Sequence, residues 1–337
     1  MVNTPPSPDP SDILVVIPTL NEAAYIAGTL SQIIEHDPVA AVCPVIVADG
    51  GSTDSTQNIV KDLSARFPNL RLVHNPGRTQ AAALNMMLED AYAGAKCLIR
   101  CDAHAKYPPN FVTDLVSALD DADAASVVIP MDAIAENHCF QRGLAWISDS
   151  KLGAGGSPHR GGVASGYVDH GHHAAFRMSV FRDLGGYDTS FIANEDAEYD
   201  QRVIKSGGQI WLESKIRIGY YPRKSARSLW KQYAKYGQGR AQTCLKHRIK
   251  PKLRQLIPVV HVVLLCLSLV LVPFTTLGLI WPLLYCLIVL AAGAATALRH
   301  RSACGLFGSV GLAVMHTAWG LGFLAELIRN VLGTKAQ

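Results

Sequence analysis

The chain has 337 residues, 49% of them hydrophobic, a length that suits one large domain or two ordinary ones. Its net charge of +4 is unevenly placed, with 11 Lys or Arg and no Asp or Glu between Pro222 and Gln255, which leaves 20 basic against 27 acidic residues elsewhere. A mildly acidic body with a basic collar excludes a general polyanion binder, and nucleic acid is not an expected partner.

The opening residues 1–12, "MVNTPPSPDPSD", are polar and Pro-rich, lack the apolar core of a secretory signal and read as a loose tail. "DILVVIPTL" reads as a buried strand, followed by a helix from Glu22 to Glu35. "CPVIVADGG" is a second strand with a helix over 53–67, "LRLVHN" a third with a helix over 79–93, and "KCLIRCDA" a fourth that ends at Asp102. Short apolar strands alternating with helices predict a parallel α/β sheet covered on both faces. Ligands in such sheets gather beyond the carboxyl ends of the strands, where Asn21, Glu22, Asp49 and Asp102 stand. Further on, "ASVVIP" and "QIWLES" read as strands, "GGSPHRGGVASG" as a Gly-rich loop and "YVDHGHHAAFR" as a strand.

Three stretches carry chemistry. "ADGGSTDST" puts an acid at a strand end, then glycines, then a hydroxyl-rich helix start; it suits an anion and a ribose, and equally suits ordinary capping. "RCDAH" spaces Asp102 and His104 two apart, so in extended chain both face one way and can share a divalent ion beside phosphates. The imidazole favours Mn²⁺ over Mg²⁺, although a lone pair of this kind is more often a capping Asp beside a surface His. His170, His172 and His173 lack a Cys or Glu at zinc spacing and read as a polar pocket wall or a strand end.

"NEDAEYDQR" crowds Glu195, Asp196, Glu198 and Asp200 into six residues of a helix over 195–205. Asn194 as cap and acids in a first turn account for Glu195 and Asp196 without any function. Glu198 and Asp200 read as solvated or paired with Arg202. The collar's Trp230, Tyr233 and Tyr236 fall on one helical stripe among lysines, which suits a helix in the headgroup layer touching anionic lipids. Beyond it, 255–298 and 302–325 hold no Asp, Glu, Lys or Arg, and each run is long enough to cross a bilayer. The eight cysteines contain no CxxC pair and suggest a reducing compartment rather than a disulfide framework.

"IPTLNE", "VADGGSTDST", "CDAH" and "NEDAEYDQR", in that order, resemble family 2 glycosyltransferases of the GT-A fold, over roughly 13–222. "RSLWKQYAKYGQGRA" and the apolar tail resemble the bacterial exopolysaccharide glucosyltransferases of the succinoglycan type. The resemblance implies that Pro18, Thr19, Asn21, Glu22, Asp49, Ser52, Asp54 and Asp102 bind a UDP-sugar, that Asp102 and His104 hold Mn²⁺ or Mg²⁺ at the family's DxD positions, and that Asp196 is the base with Glu195 beside it. His170, His172, Arg202, Gln232, Lys235, Tyr236 and Arg240 are expected around the acceptor or donor pocket. Gln232, Lys235 and Tyr236 resemble a relaxed QxxRW element, with Lys for Arg and Tyr for Trp, and one sugar per encounter is expected.

The domains so implied are a tail (1–12), a mostly parallel mixed-sheet GT-A domain (13–222), a basic interfacial segment (223–255), about three membrane helices (256–327) and a tail (328–337). The expected helices cover 256–276, 278–298 and 304–326; a third full crossing would leave Arg329 and Lys335 outside, so the last is either a crossing or re-entrant. The expected product is a β-linked sugar on a polyprenyl-diphosphate-linked glycan, made by a cytoplasmic domain on a bacterial inner membrane. A polyprenyl-phosphate sugar transferase and a non-catalytic nucleotide-binding scaffold remain alternatives.

Overall fold

The computed structural model describes residues 9–135, 137–148, 150, 152–153 and 164–333. The loop expected at 155–166 lies mostly outside the described residues. The chain forms two compact units, Met1–Asp132 with Gly161–Ser190 and Glu195–Tyr220, and Ala133–Arg160 with Phe191–Asn194 and Tyr221–Gln337.

In the first unit the predicted alternation is present: β1 (Ile13–Thr19), α1 (Ile26–Glu35), β2 (Val45–Asp49), α2 (Thr56–Arg66), β3 (Leu70–His74), α3 (Gln80–Asn85) and β4 (Cys97–Arg100). The expected helix over 79–93 stops at Asn85 and continues as two 3-10 turns, Met86–Leu88 and Asp90–Tyr92. Next come β5 (Ala105–Lys106), α4 (Phe111–Asp121), β6 (Ser126–Ile129) and β7 (Met131–Ala133). In the second unit, α5 spans Cys139–Ser148. Back in the first unit, the stretch expected as one strand at 167–177 forms two, β8 (Gly166–Val168) and β9 (His172–Arg177), followed by α6 (Met178–Asp183), α7 (Glu195–Lys205), β10 (Ile210–Leu212) and β11 (Ile218–Tyr220).

The eight-stranded sheet has the order β3-β2-β1-β4-β9-β6-β10-β8. The first four strands are parallel, while β9 runs antiparallel to β4 and β6, and β8 antiparallel to β10. The sheet is therefore mixed. Alternation along β1 sends Ile13, Val15 and Ile17 to one face with α1, and Leu14 and Val16 to the other with Leu84, Phe181 and Tyr199. Both faces are core, which is why these strands lack a polar side. At the start, Asp12 ends a short turn over Pro10–Asp12 and pairs with Lys96 at 2.8 Å, so the last part of the expected tail is ordered against β4's approach.

The second unit contains α8 (Ala226–His247), α9 (Leu253–Leu271), α10 (Ile280–Arg299) and α11 (Phe307–Val331). Phe140, Leu144, Leu229, Tyr285, Leu312 and Met315 pack into its core. Among the described residues, three helices are long and apolar enough to cross a membrane, over Leu253–Leu271, Thr276–Arg299 and Ala303–Val331. Cys139 and Cys304 form a disulfide across a sequence separation of 165 residues, where the cysteine pattern suggests a reducing compartment rather than a disulfide framework. Spacing could not disclose it, because only packing brings α5 beside the start of α11.

Candidate active site

The carboxyl ends of β1 and β2 are stitched together by their loops. Asn21, at φ +58, accepts the Thr53 amide on its side-chain oxygen at 2.8 Å and donates its own amide to the Ser52 hydroxyl at 2.8 Å. The Glu22 amide donates to Thr56 Oγ1 at 2.8 Å and the Ala23 amide to Asp54 Oδ2 at 3.1 Å. Asp49 is buried and accepts from the Gly51 and Ser52 amides, the Ser52 hydroxyl and Gln57. Asp49, Ser52, Asp54 and Asn21 thus first build one rigid rim. Pro18 and Thr19 pair in register with Ala48 and Asp49 beneath it.

The end of β4 is the electrostatic centre. Arg100 is 6% exposed and donates two hydrogen bonds to Asp102 Oδ1, at 3.2 and 3.0 Å. The β4–β9 register pairs Ile99 with Ala175, and its continuation sets Asp102 opposite His172. His172 Nε2 lies 3.5 Å from Asp102 Oδ2. Burial would raise the Asp102 carboxyl, but Arg100, His172 and His104 outweigh it and hold it far below the usual range. Burial and then Arg100 push the His172 imidazole down to about 4, so it is neutral at pH 7. His104 Nδ1 meets Glu22 Oε1 at 2.9 Å, linking the β1 rim to this loop. The Tyr107 hydroxyl holds the Asp102 backbone on both sides, accepting from its amide and donating to its carbonyl.

At the start of α7, Glu195 accepts a hydrogen bond from Gln80 at 3.2 Å, and Asp196 Oδ1 accepts the Ala197 amide at 2.7 Å. Burial and the adjacent Asp196 raise the Glu195 carboxyl, while Arg100 opposes them. Asn194 has φ +63, and its side-chain amide donates to the Tyr236 carbonyl at 2.7 Å. The other two acids of the cluster are buried rather than solvated. Glu198 pairs with Arg202 at 2.7 Å, and Arg202 also donates to the Leu184 and Gly186 carbonyls. Arg202, expected at a pocket, thus spends its guanidinium on folding α7 against the turn after α6.

Asp200 does not pair with Arg202, contrary to that alternative. It accepts from His170 at 2.6 Å and His173 at 2.8 Å, and His173 bonds the Tyr187 hydroxyl at 2.8 Å through its other nitrogen. The three histidines therefore divide: His172 faces Asp102, while His170 and His173 bind α7 to β9. Gln232, Lys235, Tyr236 and Arg240 lie on α8 in the second unit, where Gln232 donates to the Tyr236 hydroxyl at 2.9 Å.

Sequence reasoning missed Arg100 as part of this centre. Its signal was present: one charge inside the apolar run "CLIRC" must be paired to be buried. The donor chemistry fits a divalent cation. Two ligands of one octahedral ion at about 2.1 Å stand about 3 Å apart, close to the 3.5 Å between Asp102 Oδ2 and His172 Nε2. Among the described residues no group of three His, Cys, Asp or Glu side chains is gathered closely enough to enclose an ion. A cation held by two protein groups leaves positions for phosphate oxygens.

The family model for glycosyl transferase family 2 matches residues 14–185, which contain β1 to β4 and the Asp102 centre. The chain belongs to this family. It is 39% identical over 316 residues, 94% of each chain, to the succinoglycan biosynthesis protein ExoA of Rhizobium meliloti. It is 27% identical over 235 residues, 67% of this chain and 71% of the other, to a dolichyl N-acetyl-alpha-D-glucosaminyl phosphate 3-beta-D-2,3-diacetamido-2,3-dideoxy-beta-D-glucuronosyltransferase of Methanococcus voltae. In three dimensions it resembles the mannosyltransferase PcManGT of Pyrobaculum calidifontis, solved with GDP-Man and Mn²⁺, with a TM-score of 0.58, 21% identity and 99% and 92% of the two chains covered. That similarity establishes the GT-A fold. The chain is therefore a glycosyltransferase.

Proposed function

We propose that this family 2 enzyme transfers glucose from UDP-glucose, with inversion to a β linkage, onto a polyprenyl-diphosphate-linked oligosaccharide at the cytoplasmic face of a bacterial inner membrane. The observation that carries the reading is the half-buried Arg100–Asp102–His172 group, whose neighbouring acids Glu195 and Asp196 feel the same guanidinium. The relatives support the acceptor class: ExoA is named for succinoglycan biosynthesis, and the archaeal transferase is named for a sugar joined to a lipid phosphate.

In this mechanism the rim of Asn21, Asp49, Ser52 and Asp54 receives the nucleoside, with Pro18, Thr19 and Glu22 completing the wall. Asp102 and His104 would hold a divalent cation, Mn²⁺ or Mg²⁺, with the neutral His172 standing beside Asp102. When bound, that cation neutralises the charge of the diphosphate. Arg100 keeps Asp102 ionised for this purpose. Asp196 takes the proton from the acceptor hydroxyl as that oxygen attacks the anomeric carbon. The bond from that carbon to the diphosphate oxygen breaks on the opposite face, and UDP departs. Glu195, held by Gln80, stands beside the base, and His170, Gln232, Lys235, Tyr236 and Arg240 are assigned to the substrate surroundings. Anionic lipids are assigned to the basic helix.

A panel of nucleotide sugars with a lipid-linked acceptor tests the proposal. Transfer from UDP-glucose above all other donors, with a β product, is expected. Transfer to the bare polyprenyl phosphate alone would replace the acceptor assignment.

A further inference from the structure

Three helices have the length and hydropathy of membrane spans, but their surroundings differ. From Leu269 to Leu284, nearly every apolar side chain between α9 and α10 is exposed, including Phe274 at 83%. From Gly308 to Phe323 in α11, only Val310 and Leu321 are exposed. Helices that are apolar on every side are buried either in lipid or in protein, and α11 is covered by protein along much of this stretch.

Its neighbours decide which environment it occupies. Over its first turns α11 lies on α5: a methyl on Gly143 would run into the Cys304 carbonyl, and the disulfide locks the same contact. Its flank touches α9 and α10, where a methyl on Gly320 would meet the Pro258 carbonyl and Tyr285 bonds His316 at 3.0 Å, and over its second half it lies on α8, backbone against backbone. A methyl on Gly237 would meet the Trp319 carbonyl, and one on Gly322 the Ala234 carbonyl. Gln238 of α8 donates to Glu326 of α11 at 3.2 Å, and Arg329 pairs with that same Glu326. On α8, Arg227, Lys231 and Lys235 recur every fourth residue and are all exposed. If α11 crossed the bilayer, α8 would accompany it and these cations would face hydrocarbon, where ionised side chains are rare and costly.

We infer that α11 does not cross the membrane. It is an internal helix of a platform with α5 and α8, and the bilayer receives only the α9–α10 hairpin. The occupant of the exposed apolar face is lipid hydrocarbon, and the Arg227–Lys231–Lys235 stripe lies at the headgroups. The chain consequently re-emerges on the side from which it entered, with Arg299 and Arg329 on the same side as α8, as the positive-inside rule prefers. This rests on membrane association and is independent of donor or acceptor.

The test uses two full-length chains, one with an epitope inserted after Arg301 and one with it appended after Gln337. Each is probed with antibody on inside-out and right-side-out vesicles. Both epitopes should be exposed on the same face, and the protein should stay with the membrane in alkaline carbonate. Epitopes on opposite faces would show that α11 crosses and would overturn the inference. Release by carbonate would overturn the embedded hairpin itself, while leaving the transfer assay and the functional reading untouched.

Discussion

Replacing Asp196 by Asn separates a catalytic acid from a helix-stabilising one. Among the described residues, Asp196 accepts one side-chain hydrogen bond, from the Ala197 amide at 2.7 Å. Asn retains an oxygen that can accept it, so folding loses mainly the charge–dipole term at the start of an 11-residue helix, about 0.3–1 kcal/mol. A change of that size moves the melting temperature of a domain this large by no more than about 4 °C. If Asp196 is the base, Asn cannot take the acceptor proton, and transfer should fall about 10²–10⁴-fold, roughly 2.7–5.5 kcal/mol at 1.36 per decade. The two accounts differ by several kilocalories, so one variant discriminates between them. The assay is single-turnover sugar transfer at saturating UDP-glucose, with UDP affinity measured separately and melting as the folding control. UDP affinity should change less than threefold. Glu195→Gln should be milder, because Glu195 is displaced about 100° around the helix and Gln can still meet Gln80. An Asp196→Asn enzyme that transfers at near wild-type rate would refute the base assignment and return the acid to helix stabilisation.

Chelation should abolish transfer, with Mn²⁺ restoring it at least as well as Mg²⁺, and His172→Ala should weaken Mn²⁺ binding measured by electron paramagnetic resonance; full activity in excess chelator would remove the metal role. Asp200→Leu leaves His170 and His173 without their buried partner and should cost about 3–5 kcal/mol in denaturant melts. Burial opposes ionisation of Asp200, but His173 and His170 together hold its carboxyl below the usual value; its stabilisation is therefore present above the unfolded carboxyl's ~3.9 and is lost only as pH falls through the lower folded value. The stability gap between wild type and Asp200→Leu should consequently be present at about pH 5 and shrink as pH falls through the lowered carboxyl value. Thiol labelling in denaturant should count six cysteines without reductant and eight with it; eight at the outset would disprove the Cys139–Cys304 bond.

Local physics was enough to read the strands, because each is buried on both faces and must be a short apolar run closed by a polar end. β1, β2 and β4 were legible for that reason, and so were the acids at their ends. α7 was legible from its acidic first turn, and the two longest apolar runs from their lack of charge. What the local pattern left open was partner choice. Glu198 and Asp200 sit two residues apart, so they point to different sides of α7, one to Arg202 and one to the histidines. That division depends on where β9 and the Gly186 turn pack, 16 to 30 residues away along the chain. The antiparallel insertion of β9 between β4 and β6 likewise brings His172 to Asp102 across 70 residues of sequence. Hydropathy gave α11 the same meaning as α9 and α10, because a side chain's apolarity is the same whether it faces lipid or protein. Only the neighbours of α11, with the polar helix α8 and the disulfide-tied α5 among them, distinguish the two, and neighbours are a property of tertiary structure.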